Sequence, residues 1–232
     1  MEVVERGTPA EARPTLLVIL FHGLTGWGEQ LASDFQTLVA QHPTARFLFP
    51  SSPKAAPPSD WNKSGKGRDW FLLEGRDVIE VIEERVAALN SWLDEQLARP
   101  HPTPKPDPYW AAPDRPSASR VRQAQLGLDN SRLVLGGFSQ GAGVAAYVGL
   151  RRGVAGVALL GGIVSPRAAL LPSRSAAKVL CVNGDRDSFV KLEEVEAALE
   201  PYGPQWHVLE GVGHTITDRH RELVSAFIAS FG

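Results

Sequence analysis

Cysteine is nearly absent from this 232-residue chain: Cys181 stands alone. One thiol cannot close an internal disulfide, so the fold has to be held by a buried core. Cys181 sits in the apolar run Val179-Leu180-Cys181-Val182, where it reads as a small buried hydrophobe. Surplus charge is missing too, with 24 Lys and Arg against 26 Asp and Glu and a net charge of -2. That balance lacks the basic excess a nucleic-acid partner calls for. No apolar run approaches a membrane span in length. The stretch from Met1 to Pro14 carries Glu2, Glu5 and Glu11 and no apolar segment of a secretory leader. Metal-ligand spacing is also lacking, with no H-x-x-x-H and no Cys/His cluster. The expectation is a cytoplasmic chain with no cofactor, no metal, no nucleic-acid partner and no membrane span. A homodimer is compatible with the sequence, which does not set the oligomeric state.

What is present is organised around Leu133-Val134-Leu135-Gly136-Gly137-Phe138-Ser139-Gln140-Gly141-Ala142-Gly143. An apolar run reads as a buried strand. Gly137-Phe138-Ser139-Gln140-Gly141 matches G-x-S-x-G, and Ala142 to Val148 reads as a buried helix. Strand, tight turn with a serine at its apex, and helix together give the pentapeptide its meaning. The turn holds the serine in a strained backbone conformation, and side chains at Gly137 or Gly141 would crowd it.

The rest of the chain alternates strands and helices. Thr15 to Phe21 is continuously apolar, as a central parallel strand covered on both faces should be. A helix is predicted from about Glu29 to Gln41, with Leu31, Phe35, Leu38 and Val39 facing inward. Arg46 to Phe49 is the next strand, stopped by Pro50. Ser51 to Arg76 has poor periodicity and reads as a long surface loop. Its aromatics, Trp61, Trp70 and Phe71, either line an apolar cleft or anchor the loop to the core. Asp77 to Ala98 is a helix whose stripe is Ile82, Val86, Leu89, Leu93 and Leu97. Pro100 to Ser119 carries alternating prolines at 100, 102, 104, 106 and 108, then Pro113 and Pro116. Proline removes N–H donors and fixes φ, so this reads as an extended insertion, either a lid bearing Tyr109 and Trp110 or a disordered excursion. Strands follow at Val154–Leu160, Ala177–Val182 and Trp206–Leu209, with helices near Leu192–Leu199 and Asp218–Ser230. This alternation indicates an α/β chain with a mostly parallel central sheet and helices on both faces, in a single domain over residues 1–232.

In such a sheet, sites gather at the carboxyl ends of the strands. His22-Gly23-Leu24, Ser139, the Asp185/Asp187 loop and His214 all fall there. A serine hydroxyl is a weak nucleophile. It needs an imidazole to take its proton and a carboxylate to fix that imidazole's tautomer. Ser139, Asp187, His214 is the chain order found in α/β-hydrolases. Spacing alone leaves Asp185 and Asp187 open as the acid, Asp185 having an alternative use in closing the turn. His214 stands in a Gly-flanked loop after the last strand. His220 is expected on a polar helix face, His207 in a strand and His42 near a helix end. An oxyanion would be met by backbone N–H groups. One belongs to Gln140, after the serine, and Leu24 is the candidate for the other. His22 is then a structural partner of the Leu24 loop. Trp27, Trp61, Trp70 and Phe138 hint at an apolar pocket for a short or medium acyl chain.

These residues resemble the phospholipase/carboxylesterase family of α/β-hydrolases, which includes the acyl-protein thioesterases. Phe21-His22-Gly23-Leu24 is similar to its L-H-G-L-G-D loop, Phe49-Pro50-Ser51-Ser52-Pro53 to F-P-x-A-P, and Trp70-Phe71 to W-F-D. Leu135 to Gly141 is close to L-G-G-F-S-Q-G-G, Asn183 to Val190 matches H-G-x-x-D-x-x-V, and Gly213-His214-Thr215-Ile216 is similar to G-H-x-I. The resemblance implies an α/β-hydrolase fold and a serine esterase. It puts the acid on Asp187, with Ser139 as nucleophile, His214 as base, and backbone donors at Leu24 and Gln140. Departures fall outside the triad: Thr25-Gly26 for Gly-Asp, Leu72 for the W-F-D aspartate, Ala142 for a glycine, Asn183 for a histidine, and the proline-rich stretch. The expected activity is hydrolysis of small or medium-chain acyl esters, with a small-molecule ester as partner. A thioesterase or lysophospholipase using the same triad is the near alternative, and a catalytically silent scaffold used for binding is the distant one.

Overall fold

Leu16–Phe21 divides the molecule's two cores between its alternate residues. Leu17, Ile19 and Phe21 enter one hydrophobic cluster, and Leu16, Val18 and Leu20 enter the other. Side chains alternate along a strand, so a strand apolar at every position has both faces covered. The computed structural model describes residues 1–8, 13–72, 74–99, 128–162 and 175–232. The expected insertion at 100–119 lies outside the described residues.

Seven strands form one sheet: β1 (Val3–Gly7), β2 (Leu16–Phe21), β3 (Ala45–Pro50), β4 (Leu133–Phe138), β5 (Gly156–Leu160), β6 (Lys178–Gly184) and β7 (Gln205–Leu209). Their order is β1-β3-β2-β4-β5-β6-β7, and every pairing is parallel except β1 on β3. This is the α/β-hydrolase arrangement that the sequence predicts. Strand β1 is not predicted. It offers only Val3 and Val4 as apolar residues, and it is held as an edge strand by its ladder to β3 and by Arg46, whose Nε donates to Glu5 Oε1 at 2.8 Å.

One face is covered by α3 (Val78–Ala98), α4 (Gln140–Arg152) and α5 (Leu192–Leu199), which feed the first cluster. The predicted stripe Ile82, Val86, Leu89, Leu93 and Leu97 is buried throughout, and Asp77 caps the helix by accepting from the Ile79 N–H at 2.7 Å. The other face carries α1 (Gly28–Asp34), α2 (Gln36–Gln41) and α6 (Asp218–Ala229). Helices α1 and α2 replace the single helix predicted from Glu29 to Gln41. The chain leaves helical geometry at Phe35 (φ -107°, ψ 17°), which sends that ring into the core, and Arg221 Nε satisfies the freed Asp34 carbonyl at 2.6 Å. His220 is also corrected. It lies on the buried face of α6, where its Nδ1 accepts from the Thr217 N–H at 3.2 Å.

Candidate active site

The turn from β4 into α4 puts Ser139 at φ 55°, ψ -120°, a left-handed backbone that non-glycine residues seldom adopt. A strain of about 1–3 kcal/mol persists only where the surroundings enforce it. Here they do: a Cβ on Gly137 would meet the Gly141 backbone, and one on Gly141 would meet the Phe21 carbonyl. The turn is pressed against the end of β2 with no room for a side chain at either glycine.

The structure brings Ser139, His214 and Asp187 together. His214 Nε2 lies 2.8 Å from Ser139 Oγ, and His214 Nδ1 lies 2.6 Å from Asp187 Oδ2. Ser139 comes from the end of β4, Asp187 from the loop after β6 and His214 from the loop after β7. Asp187 has a side chain only 1% exposed. Its second oxygen, Oδ1, accepts from the Phe189 and Val190 N–H groups at 2.9 and 3.2 Å, so Oδ2 is left for the imidazole. A carboxylate fixed this way holds the proton on Nδ1 and leaves the Nε2 lone pair facing the hydroxyl. That is an arrangement in which an imidazole can accept a hydroxyl proton. The imidazole itself is in contact with two rings, Phe138 at 4.8 Å and Phe189 at 4.9 Å between centroids. Asp185 instead ties the loop after β6 to the loop after β7, accepting from the Gly211 N–H at 2.6 Å.

The segment after β2 runs alongside. A Cβ on Gly23 would lie 3.3 Å from the Ser139 Cβ. Among the described residues, the N–H groups of Leu24 and Gln140 have no acceptor, which leaves both free for an anionic oxygen. His22 is a buried partner of this segment. Its Nε2 accepts from the Ser52 N–H at 3.0 Å, and its Nδ1 lies 2.7 Å from the Gly23 carbonyl. Those contacts fix a neutral ring with its proton on Nδ1. Burial drives its pKa down to about 4, far below the ordinary histidine range.

The expected pocket aromatics do not form one wall. Phe138 adjoins the imidazole, as above. Trp70 is 1% exposed: it packs edge-on to Phe21, overlaps the His22 ring at 4.9 Å, and donates its indole N–H to the His22 carbonyl at 3.0 Å. It anchors the long loop to the core and cannot line an open cleft. Trp61 is 80% exposed, and Trp27 lines a separate mixed cleft with Glu2, Glu29, Ser51, Lys66 and Arg68. Size and apolarity suggest these rings alike, but the burial of Trp70 comes with a hydrogen bond to the His22 carbonyl that a sequence does not display. The residue beside the imidazole that composition did not single out is Phe189, 61% exposed. An aromatic two residues after the acid was the available signal for Phe189.

The sequence model of the phospholipase/carboxylesterase family matches residues 2–231. Acyl-protein thioesterase 1 of Mycosarcoma maydis is 25% identical over 238 aligned positions, covering 93% of this chain and 91% of that protein. The crystal structure of esterase PE8 superposes with a TM-score of 0.68 at 25% identity, covering 100% of this chain and 98% of that one. Zea mays acyl-protein thioesterase 2, at 17% identity and a TM-score of 0.62 over 99% of this chain and 97% of that one, shares the fold. No described helix is long and apolar enough to cross a membrane.

Proposed function

The chain belongs to the phospholipase/carboxylesterase family of hydrolases, and from that premise we propose that it is a serine carboxylester hydrolase acting on small or medium-chain acyl esters. The observation that carries the reading is the relay Asp187 Oδ2, His214, Ser139 Oγ at 2.6 and 2.8 Å. Ser139 Oγ attacks the ester carbonyl carbon while its proton passes to His214 Nε2. The carbonyl oxygen becomes an oxyanion that accepts from the Leu24 and Gln140 N–H groups. As the tetrahedral intermediate collapses, the carbon–oxygen bond to the alcohol breaks, and His214 returns its proton to that leaving oxygen. An acyl-enzyme remains on Ser139. Water then attacks the acyl carbon, gives a proton to His214, and the second collapse releases the carboxylic acid and restores the Ser139 hydroxyl.

The rings of Phe138 and Phe189 beside His214 favour an apolar acyl group. A thioester is the second reading, favoured by the thioesterase name of the Mycosarcoma relative and open to the same chemistry. The single buried Cys181 suits a reducing compartment, so cytoplasmic action is part of the same reading, as is one hydrolase domain spanning residues 1–232. The test is turnover of p-nitrophenyl butyrate with fluorophosphonate labelling. Wild type should hydrolyse the ester and be labelled on Ser139, and Ser139→Ala should lose at least about 10⁴-fold in kcat with an unchanged melting temperature. Undiminished turnover in Ser139→Ala rejects the reading. Side-by-side acyl esters and acyl thioesters decide between the two substrates.

A further inference from the structure

Gln140 has two parts that face different ways. Its N–H is one of the two oxyanion donors proposed above, whereas its side chain runs into the 51–71 loop and is fastened there at both ends. Oε1 accepts from the Trp70 N–H at 2.9 Å, and Nε2 donates to Asp69 Oδ1 at 2.7 Å. Asp69 is buried, and its Oδ1 also accepts from the Phe71 N–H at 2.8 Å. Its backbone is anchored in turn: its carbonyl accepts from Ser52 Oγ at 2.7 Å, and its N–H donates to the Lys54 carbonyl at 3.0 Å.

Two of these loop residues, Trp70 and Ser52, also grip the other donor segment. Trp70 donates its indole N–H to the His22 carbonyl and covers the His22 ring, and Ser52 donates its N–H to His22 Nε2. Two residues later comes Leu24. One short piece of loop therefore fastens both N–H groups, although they come from the ends of different strands. The chemistry of Asp69 points the same way. A buried carboxylate with amide donors as its side-chain partners costs desolvation energy that an apolar residue would avoid. What it gains is a charge-assisted hydrogen bond, shorter and about twice as strong as a neutral one. Rigidity at this point has a use, because a displacement of about 1 Å in a reacting geometry lowers a rate by about 100-fold.

We propose that Asp69 and the Gln140 side chain are positioning residues that hold the Leu24 and Gln140 N–H groups at the spacing an oxyanion requires. The inference rests on the proposed hydrolase reading and deepens it. It concerns the developing charge alone, so it separates from a general structural role by what it leaves unchanged. Gln140→Met keeps the backbone donor and side-chain length while losing both side-chain hydrogen bonds. It should lower kcat for p-nitrophenyl butyrate by about 10- to 100-fold with KM little changed. Affinity for a trifluoromethyl ketone, whose hemiketal adduct with Ser139 presents an oxyanion, should weaken by the same factor. Asp69→Leu should do the same, and Asp69→Asn, which keeps an accepting oxygen, should recover most of the loss. If Asp69→Leu does not fold, Gln140→Met and Asp69→Asn carry the test. Wild-type kcat and ketone affinity in Gln140→Met overturn the inference, as does a loss that follows the folded fraction alone. A wild-type chain with neither ester turnover nor fluorophosphonate labelling overturns the hydrolase reading itself, and this inference with it.

Discussion

Two imidazoles border the Ser139 turn, and the chain treats them in opposite ways. His214 is hydrogen-bonded at both nitrogens to groups that can exchange protons with it, and its side chain keeps 17% of its exposure. His22 is hydrogen-bonded at both nitrogens to the backbone, is sealed from solvent, and has its pKa driven down to about 4. In the proposed reaction the first ring changes charge. The second is arranged never to change it, and so it serves as a fixed piece of scaffold under the Leu24 segment. The difference lies in the partners: carboxylate and hydroxyl for one ring, peptide groups for the other. Identity of residue type does not distinguish them.

The largest way to break this comparison is acid. His22 and His220 have folded-state pKa values of about 4, against an ordinary 6.5, and burial lowers His42 as well. Between those limits the unfolded chain binds more protons than the folded one, so stability rises with pH across the window. The stabilisation is fully present above about pH 6.5 and drains as pH falls toward 4. For His22 the loss is on the order of 3 kcal/mol by pH 4. Glu5 and Glu83, held below the ordinary 4.5 by Arg46 and Arg151, add losses that begin near pH 4.5 and continue below it. Urea unfolding between about pH 7 and pH 4.5 should therefore show a falling midpoint. A midpoint flat across that range would mean that His22 is not a neutral, locked ring.

The fold and the meeting of Ser139, Asp187 and His214 were legible in the sequence because the strands before Ser139 and Asp187 are apolar runs that end in glycine or a polar turn. Such a run reads the same whether its neighbours are known or not, as with Leu133–Phe138 and Lys178–Gly184. Strand β1 escaped notice because five residues with two valines become a strand only through their ladder to β3. The break at Phe35 depends on a carbonyl captured by Arg221, 187 positions away. The burial of Trp70 was not legible for a similar reason. A tryptophan's place is decided by who accepts its N–H, and for Trp70 that acceptor is the carbonyl of His22. The side-chain role of Gln140 was hidden behind its backbone role, since the motif specifies only the residue after the serine.

The next sharpening acts on the ring that exchanges protons. Phe189 is mostly exposed yet packs against His214, as Phe138 does. Phe189→Ala removes little buried surface, so its melting temperature should match wild type. It frees the imidazole to tilt away from Ser139 Oγ, and kcat for p-nitrophenyl butyrate should fall by about 10-fold. The corresponding loss of a cover on His22 would cost stability first, because that ring has no exposed side. Equal kcat in wild type and Phe189→Ala would show that Asp187 alone orients His214.

The smallest effect tests whether the scaffold side stores strain as the serine side does. Thr25 lies next to Leu24 at φ 65°, much as Ser139 lies at φ 55°. It is pinned there by its N–H to the Arg68 carbonyl at 2.9 Å, and the Arg68 N–H returns to the Gly26 carbonyl at 3.0 Å. A left-handed conformation costs a β-branched residue about 1–2 kcal/mol, and glycine avoids that cost but loses about 0.4–1 kcal/mol through its freer unfolded chain. Thr25→Gly should therefore gain roughly 0.5–1 kcal/mol in urea unfolding. If the threonine's stiffness helps to aim the Leu24 N–H, kcat should fall modestly in the same variant, so that stability and rate move in opposite directions. If both rise together, the strain at Thr25 is idle. The scaffold side then works through the hydrogen bonds of His22, Trp70 and Gln140 alone.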